Sequence, residues 1–252
     1  MKRRFDSNEP ELMDRPGAAR EDLDAALRSL RGLNRLFGSH RVVSIFLKRW
    51  VKRGDKLRVL DLATGSADIP RLVADYAREI GAEVEILAVD FQPSTLETAR
   101  RMSVDYPEIT CQCADVLTFQ DEEGFDLVIC SLALHHFSEE DAVRLLRRGR
   151  ELSRKFVLVS DLRRGMLAVV GVYLLTRLVF RDPMTREDGR VSAQRAFTRG
   201  EMRELARRAG WRDFGSRAFR FARQAIWLEP SGEATLLSPV AATGDKSVAS
   251  PE

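Results

Sequence analysis

Apolar residues recur at intervals of three and four through Leu23, Ala26, Leu27, Leu30, Leu33 and Phe37, the period of one helix face, and Gly38 ends the run. Ser39 is placed to cap a second helix whose apolar side carries Val42, Val43, Ile45, Phe46 and Trp50. From Leu57 the pattern changes to short β-branched runs alternating with helical stretches. Strands are expected at residues 57–62, 84–90, 109–113, 125–131 and 156–161. Their near-continuous hydrophobicity predicts strands covered on both faces, and the alternation predicts a parallel sheet with crossover helices. Between the strands, Leu72, Val73, Tyr76, Ala77 and Ile80 form a helical face closed by Gly81, while Ser94-x-x-Glu97 and Ser138-x-x-Asp141 mark helix starts.

After Asp161 the alternation lapses until Thr198-x-x-Glu201 opens another helix, with Met202, Leu205, Ala206 and Ala209 on one face and Gly210 at its end. The interval, about 162–197, holds an apolar run at 166–180 and a polar piece at 181–190 with Pro183 and Gly189. It reads as a helical cap inserted into the order of the sheet. Residues 211–228 supply two final strands, expected as an antiparallel pair. The chain thus divides into an irregular arm (1–19, with Pro10 and Pro16), a helical cap (20–56), an α/β domain (57–230) and a Ser/Ala/Thr/Gly/Pro-rich tail (231–252) expected to be disordered.

Composition narrows this picture more than it changes it. A chain of 252 residues, 44% hydrophobic and 31% charged, suits one globular domain with a cap. Three cysteines are too few and odd in number for a disulfide framework, so a reducing cytoplasm is expected. Asp6 and Glu9 interrupt the N-terminus before any apolar run, so no secretory signal is read. The run 166–180 contains Arg177 and falls short of the roughly 20 residues of a membrane-spanning helix. The net charge of +3 conceals an asymmetry: 14 basic against 8 acidic side chains in residues 1–56, 11 against 20 in 57–162, 15 against 6 in 163–223, and 1 against 4 in 224–252. An acidic middle lies between two arginine-rich flanks. These are either solvated helix faces or surfaces for an anionic partner.

The segment Val59-Leu-Asp61-Leu-Ala63-Thr64-Gly65-Ser66-Ala67-Asp68-Ile69 carries the most chemistry. Small residues at 63, 65 and 67 let a chain leave a strand in a tight turn, approach a ligand, and enter a helix whose first amides face that ligand. In a dinucleotide-binding turn the three glycine positions would be Ala63, Gly65 and Asp68, and a carboxylate at the last opposes pyrophosphate. A ligand with an amine and a sulfonium and no phosphate is compatible with Asp61 and Asp68. Asp90 and Asp115, at the ends of the next two strands, are placed for ribose hydroxyls and an adenine amino group.

With these residues in place, the sequence resembles the class I S-adenosylmethionine-dependent methyltransferases. Within them it is most similar to the Asp-x-Ala-Gly-Gly-Thr-Gly-Asp turn of the ubiquinone and menaquinone biosynthesis branch. The resemblance covers roughly residues 57–228. It implies a Rossmann-like α/β fold, a seven-stranded, mostly parallel sheet with helices on both faces, and S-adenosyl-L-methionine as cofactor. By the resemblance, Asp61 and Gly65 would face the methionine end, Asp90 the ribose, and Asp115 with Val116 the adenine, and Ala63, Asp68, Phe91 and Ser131 would also belong to the cofactor site. Thr64 and Ala67 depart from glycine. Alanine at 67 fits if the backbone φ there is negative.

The place after the fourth strand reads Ser131-Leu-Ala-Leu-His135-His136-Phe137, without the Asn/Asp-Pro-Pro-aromatic sequence of nucleic-acid amino methyltransferases. A small-molecule acceptor is expected and no nucleic acid. His135 or His136 is the candidate base, since imidazole titrates near neutrality. Arg163 and Arg164 are candidates to face an acceptor oxygen, and Tyr173 in the apolar run is a candidate pocket residue. Asp161-Leu-Arg-Arg164 and Arg195-Ala-Phe-Thr198 resemble a bacterial group of small methyltransferases of polyketide-type phenolic-lipid pathways. That implies a lipophilic phenol, resorcinol or quinone precursor, O-methylation over C-methylation, and peripheral contact with an anionic membrane. A noncatalytic adenosyl-binding protein and a nucleic-acid methyltransferase are the competing readings. Cys111-x-Cys113 lacks further cysteine or histidine ligands, so no metal is expected.

Overall fold

The computed structural model describes residues 2–6, 11–12, 32, 38–165 and 183–230. The expected first helix over 23–37, apart from residue 32, the apolar run with Tyr173, and the tail from 231 lie outside these residues. The elements run α1 (Ser39–Trp50), β1 (Lys56–Leu62), α2 (Asp68–Ile80), β2 (Glu83–Asp90), α3 (Pro93–Met102), β3 (Ile109–Cys113), β4 (Phe125–Ser131), a 3-10 turn (Leu134–His136), α4 (Glu139–Leu152), β5 (Ser153–Leu162), α5 (Pro183–Arg195), α6 (Arg199–Arg208), β6 (Gly215–Phe219) and β7 (Arg223–Leu228).

The seven strands form one sheet in the order β3-β2-β1-β4-β5-β7-β6. The first five are parallel, and β7 enters antiparallel between β5 and β6. Successive residues of a strand point to opposite faces, so each central strand feeds two cores. Val59, Leu127, Ile129, Leu158 and Trp227 pack with α1 and α2, through Val43, Phe46, Trp50, Ile69 and Val73. Leu60, Val128, Cys130, Val157, Val159 and Ile226 pack with α4 and α6, through Leu145, Leu146, Met202 and Leu205. This two-faced burial explains the continuous hydrophobicity of the runs.

Local signals explain most helix ends. The Ser138 hydroxyl accepts the Asp141 amide at 3.0 Å. Thr198 and Glu201 form a complete capping box. One expectation needs correction. Gly38, in the left-handed region at φ +87°, precedes α1, and Ser39 sits inside the first turn with its hydroxyl accepting from Arg223 Nε at 2.8 Å. The polar piece with Pro183 and Gly189 is helical, within the expected helical cap: α5 begins at Pro183, whose fixed φ suits a first turn and whose missing N–H is not needed there. α5 packs against the 3-10 turn and so faces the ends of β4 and β5.

Candidate active site

Parallel strands place their carboxyl ends on one edge of the sheet, and the order reverses between β1 and β4, where a crevice opens. The turn after β1 lies on one side of this crevice. Ala63, Gly65 and Ala67 all hold left-handed backbone, at φ +57°, +56° and +57°. The expectation of negative φ at Ala67 is therefore corrected. A side chain in this region costs about 1–2 kcal/mol, which small residues bear because the chain must reach α2 within five residues of β1. A Cβ built on Gly65 would meet no atom within 4 Å, so the turn faces open space.

Thr64, which looked like a departure, has a partner. Its hydroxyl donates to Asp61 Oδ2 at 2.6 Å. Asp90, at the end of β2, accepts the Gly65 amide on Oδ2 at 2.9 Å and the Gln92 amide on Oδ1 at 3.1 Å. Its neighbour Phe91 stands 61% exposed beside the turn, a large ring left in water at a strand end. Val116 is buried, while Asp115 is exposed and accepts the Leu117 amide on Oδ1 at 2.9 Å, a local capping bond. Ser131 shares a 3.0 Å hydroxyl contact with Ser160 on β5. Asp68 is met by His40 Nε2 of α1 at 2.8 Å, a partner no local pattern announced.

The charge of this side of the crevice discriminates among ligands. Burial pushes the Asp61 carboxyl up to about 8; the Thr64 hydrogen bond opposes this, while the charges of Asp68 and Asp90 add to it. Three carboxyls around an open turn oppose a phosphate and match a ligand carrying ammonium and sulfonium charges. The residues fit an adenosyl cofactor of that kind.

Across the crevice, the 3-10 turn after β4 carries His135 and His136. Leu132, the first residue of this connection, is held at φ +58°, a strained conformation for a branched side chain. His135 is 3% exposed, and its Nδ1 lies 2.7 Å from Asp161 Oδ1 at the end of β5. A carboxylate only accepts, so Nδ1 carries a proton and Nε2 is the nitrogen turned away from Asp161. Glu11 of the N-terminal arm is buried here, with one oxygen 3.9 Å from His135 Nε2 and the other 3.9 Å from His136 Nε2. Ser192 of α5 donates to Glu11 Oε1 at 2.7 Å. Arg3 clamps the turn from the same arm, donating to the carbonyls of His135 and Phe137, with its guanidinium 3.8 Å over the Phe197 ring. Burial brings its pKa down to about 10.

The arginine candidates are placed differently from the sequence expectation. Arg164 is buried, donating to the Ala196 carbonyl and to Glu201 at 2.6 Å, so its guanidinium ties β5 to the α6 cap. That engagement disfavours the acceptor role. Arg163 is exposed, and its amide donates to the Ala222 carbonyl. The sequence reading missed Thr64, His40, Glu11 and the pairing role of Asp161. Of these, only Thr64, three residues from Asp61, had a local signal.

The family described as a methyltransferase domain matches residues 59–155. Over 107 residues the chain is 28% identical to a methyltransferase-like protein of Schizosaccharomyces pombe, covering 42% of this chain and 38% of that one. Over 81 residues it is 32% identical to the 2-phytyl-1,4-naphtoquinone methyltransferase of Thermosynechococcus vestitus, covering 32% and 35%. The chain thus spans less than two fifths of the length of these curated relatives. The plantazolicin methyltransferase BpumL, solved in complex with S-adenosylhomocysteine, superimposes with a TM-score of 0.65 at 11% identity, over 86% of this chain and 92% of that one. Residues 59–155 thus match the methyltransferase domain family, in a fold shared with an S-adenosylhomocysteine-bound methyltransferase.

Proposed function

We propose that the protein transfers a methyl group from S-adenosyl-L-methionine to a lipophilic small molecule, with an oxygen atom as the acceptor. The observation that carries this reading is the Asp161–His135 pair, set across the crevice from the carboxylate-lined turn. When bound, the cofactor supplies a methyl group already activated by its sulfonium. Asp61, Gly65 and Asp68 would hold its methionine end, Asp90 and Phe91 its ribose, and Asp115 and Val116 its adenine. Asp161 keeps the His135 proton on Nδ1, and the Nε2 lone pair takes the proton of an acceptor hydroxyl. The remaining acceleration comes from holding acceptor oxygen and methyl carbon in line.

The acceptor class rests on the absence of the Pro-Pro sequence after β4 and on the apolar run at 166–180. A phenol, resorcinol or quinol of polyketide or related origin fits both, and the arginine-rich flanks suit delivery from an anionic membrane surface. No helix among the described residues is long and apolar enough to cross a membrane. The free cysteines at 111, 113 and 130 accord with a cytoplasmic setting.

The test is transfer of label from S-adenosylmethionine to a panel of alkylphenols, resorcinols and quinols, with His135→Ala compared to wild type. Labelled product, lost by more than about 100-fold in the variant, supports the reading. Cofactor binding without transfer to any acceptor supports a noncatalytic adenosyl-binding protein instead. Label in RNA or DNA, with steep salt dependence, overturns the small-molecule assignment.

A further inference from the structure

We propose that Glu11, His135 and His136 form a binding site for one divalent transition-metal cation at the acceptor side of the crevice. The nitrogen and oxygen donors of the three side chains all lie within 4.8 Å of one another. Each Glu11 oxygen faces a different imidazole nitrogen at 3.9 Å, too far for a hydrogen bond and too close for an intervening side chain. A cation held at about 2.1 Å from each donor fills such a gap after small side-chain rotations. The two rings lie against each other, with centroids 4.3 Å apart at 36°, so both nitrogens reach the same side.

The surroundings carry the inference beyond the three donors. Asp161 holds His135 by Nδ1 and so leaves Nε2 facing the gap, the outer carboxylate arrangement typical of metal-binding histidines. Ser192 fixes Glu11 in the same way. Among the described residues, Glu11 makes ion-pair contacts with these two imidazoles alone. Asp161 Oδ2 is buried and has no hydrogen-bond partner among them. Two buried acidic side chains, Glu11 and Asp161, thus lie against the two imidazoles, a donor set that suits a cation. His136 keeps 26% of its side chain exposed, which leaves an approach for a further ligand. Two imidazoles and one carboxylate suit zinc, cobalt, manganese or iron and disfavour magnesium, which takes oxygen ligands.

This deepens the proposed function and rests on it for one consequence only. With the ion bound, the acceptor hydroxyl would bind the cation and release its proton to solvent, so the base role of His135 proposed above would belong to the ion-free protein alone.

The full chain, stripped with a chelator, is titrated with zinc, cobalt and magnesium chlorides by calorimetry, and cobalt is also followed by its visible absorption. One equivalent of zinc or cobalt bound in preference to magnesium is expected. Glu11→Gln and His136→Gln should each weaken binding by more than about tenfold, and Asp161→Asn by about tenfold. Cys113→Ser, removing an exposed thiol that also takes zinc, should leave binding unchanged. Equal affinity in wild type, Glu11→Gln and His136→Gln, or loss of binding in Cys113→Ser, overturns the proposal. His136→Gln changes a partly exposed side chain, and unchanged thermal melting of that variant separates loss of a ligand from loss of fold. S-adenosylhomocysteine binding and methyl transfer are scored separately. Ion binding without transfer supports the site and counts against the enzymatic reading alone; transfer at the full rate by the stripped protein, with no ion bound on addition, does the reverse.

Discussion

His40 on α1 and Asp68 at the start of α2 meet at 2.8 Å, so the helix preceding the sheet holds the turn that faces the cofactor side of the crevice. The pair is partly shielded, with side-chain exposures of 19% and 10%. His40→Ala should weaken S-adenosylhomocysteine binding by about threefold, the size of one net hydrogen bond. Calorimetry on the variant checks this without any acceptor.

Asp61 links cofactor binding to protons. Its pKa in the folded chain is about 8, raised from the ordinary 3.8 chiefly by burial. A raised folded pKa contributes stability that is complete below pH 3.8 and is lost as pH rises through about 8. Thermal melts should therefore show the wild type losing more stability between pH 5.5 and 8.5 than Asp61→Asn does. A cationic cofactor favours the carboxylate, so binding near pH 7 should release protons. The signature is a binding enthalpy that varies with buffer ionisation heat and flattens in Asp61→Asn.

Ala67→Gly should stabilise the protein by up to about 1 kcal/mol, because glycine removes the left-handed strain at φ +57° and loses part of that gain to chain entropy. Ala67→Val should destabilise it by more than that, since a branched side chain tolerates this conformation least. Denaturant midpoints of the two variants against wild type decide the matter.

Gly215 on β6 sits against the Trp227 ring, and a Cβ there would lie 2.0 Å from ring carbon Cε2. Trp227 also packs with Phe46 at 4.9 Å between centroids, so it has little room to retreat. Gly215→Ala should cost about 3 kcal/mol through overpacking, read as a lower denaturant midpoint.

Arg164→Ala should cost about 2–3 kcal/mol of stability, since it leaves Glu201 and the Ala196 carbonyl without their buried donor. Arg163→Ala, at an exposed position, should shift stability by less than about 0.5 kcal/mol. Unfolding curves of the two variants separate an arginine that braces the fold from one on the surface.

The elements legible in the sequence are those written in local patterns. The five parallel strands match their hydrophobic runs to within three residues at either end, because strands buried on both faces leave no polar positions to blur the signal. Ser138 and Thr198 cap as read, since a hydroxyl and the amide three residues on meet whatever the tertiary context. Ser39 misled for the converse reason. A distant partner, Arg223, holds its hydroxyl, and Gly38 makes the bend. α5 falls within the expected helical cap, and Pro183 sets its start because a proline in the first turn is tolerated.

By itself the sequence determined the order of strands and helices, the small-residue turn after β1 and the acids at three strand ends, all set by residues within a few positions of one another. Only the tertiary structure decided which side chains face each other across the crevice. Asp161 reaches His135 over 26 positions, His40 reaches Asp68 over 28, and Arg164 is drawn to Glu201 over 37. Such pairs depend on the reversal of strand order between β1 and β4 and on helices docked over the strand ends, which no local periodicity encodes.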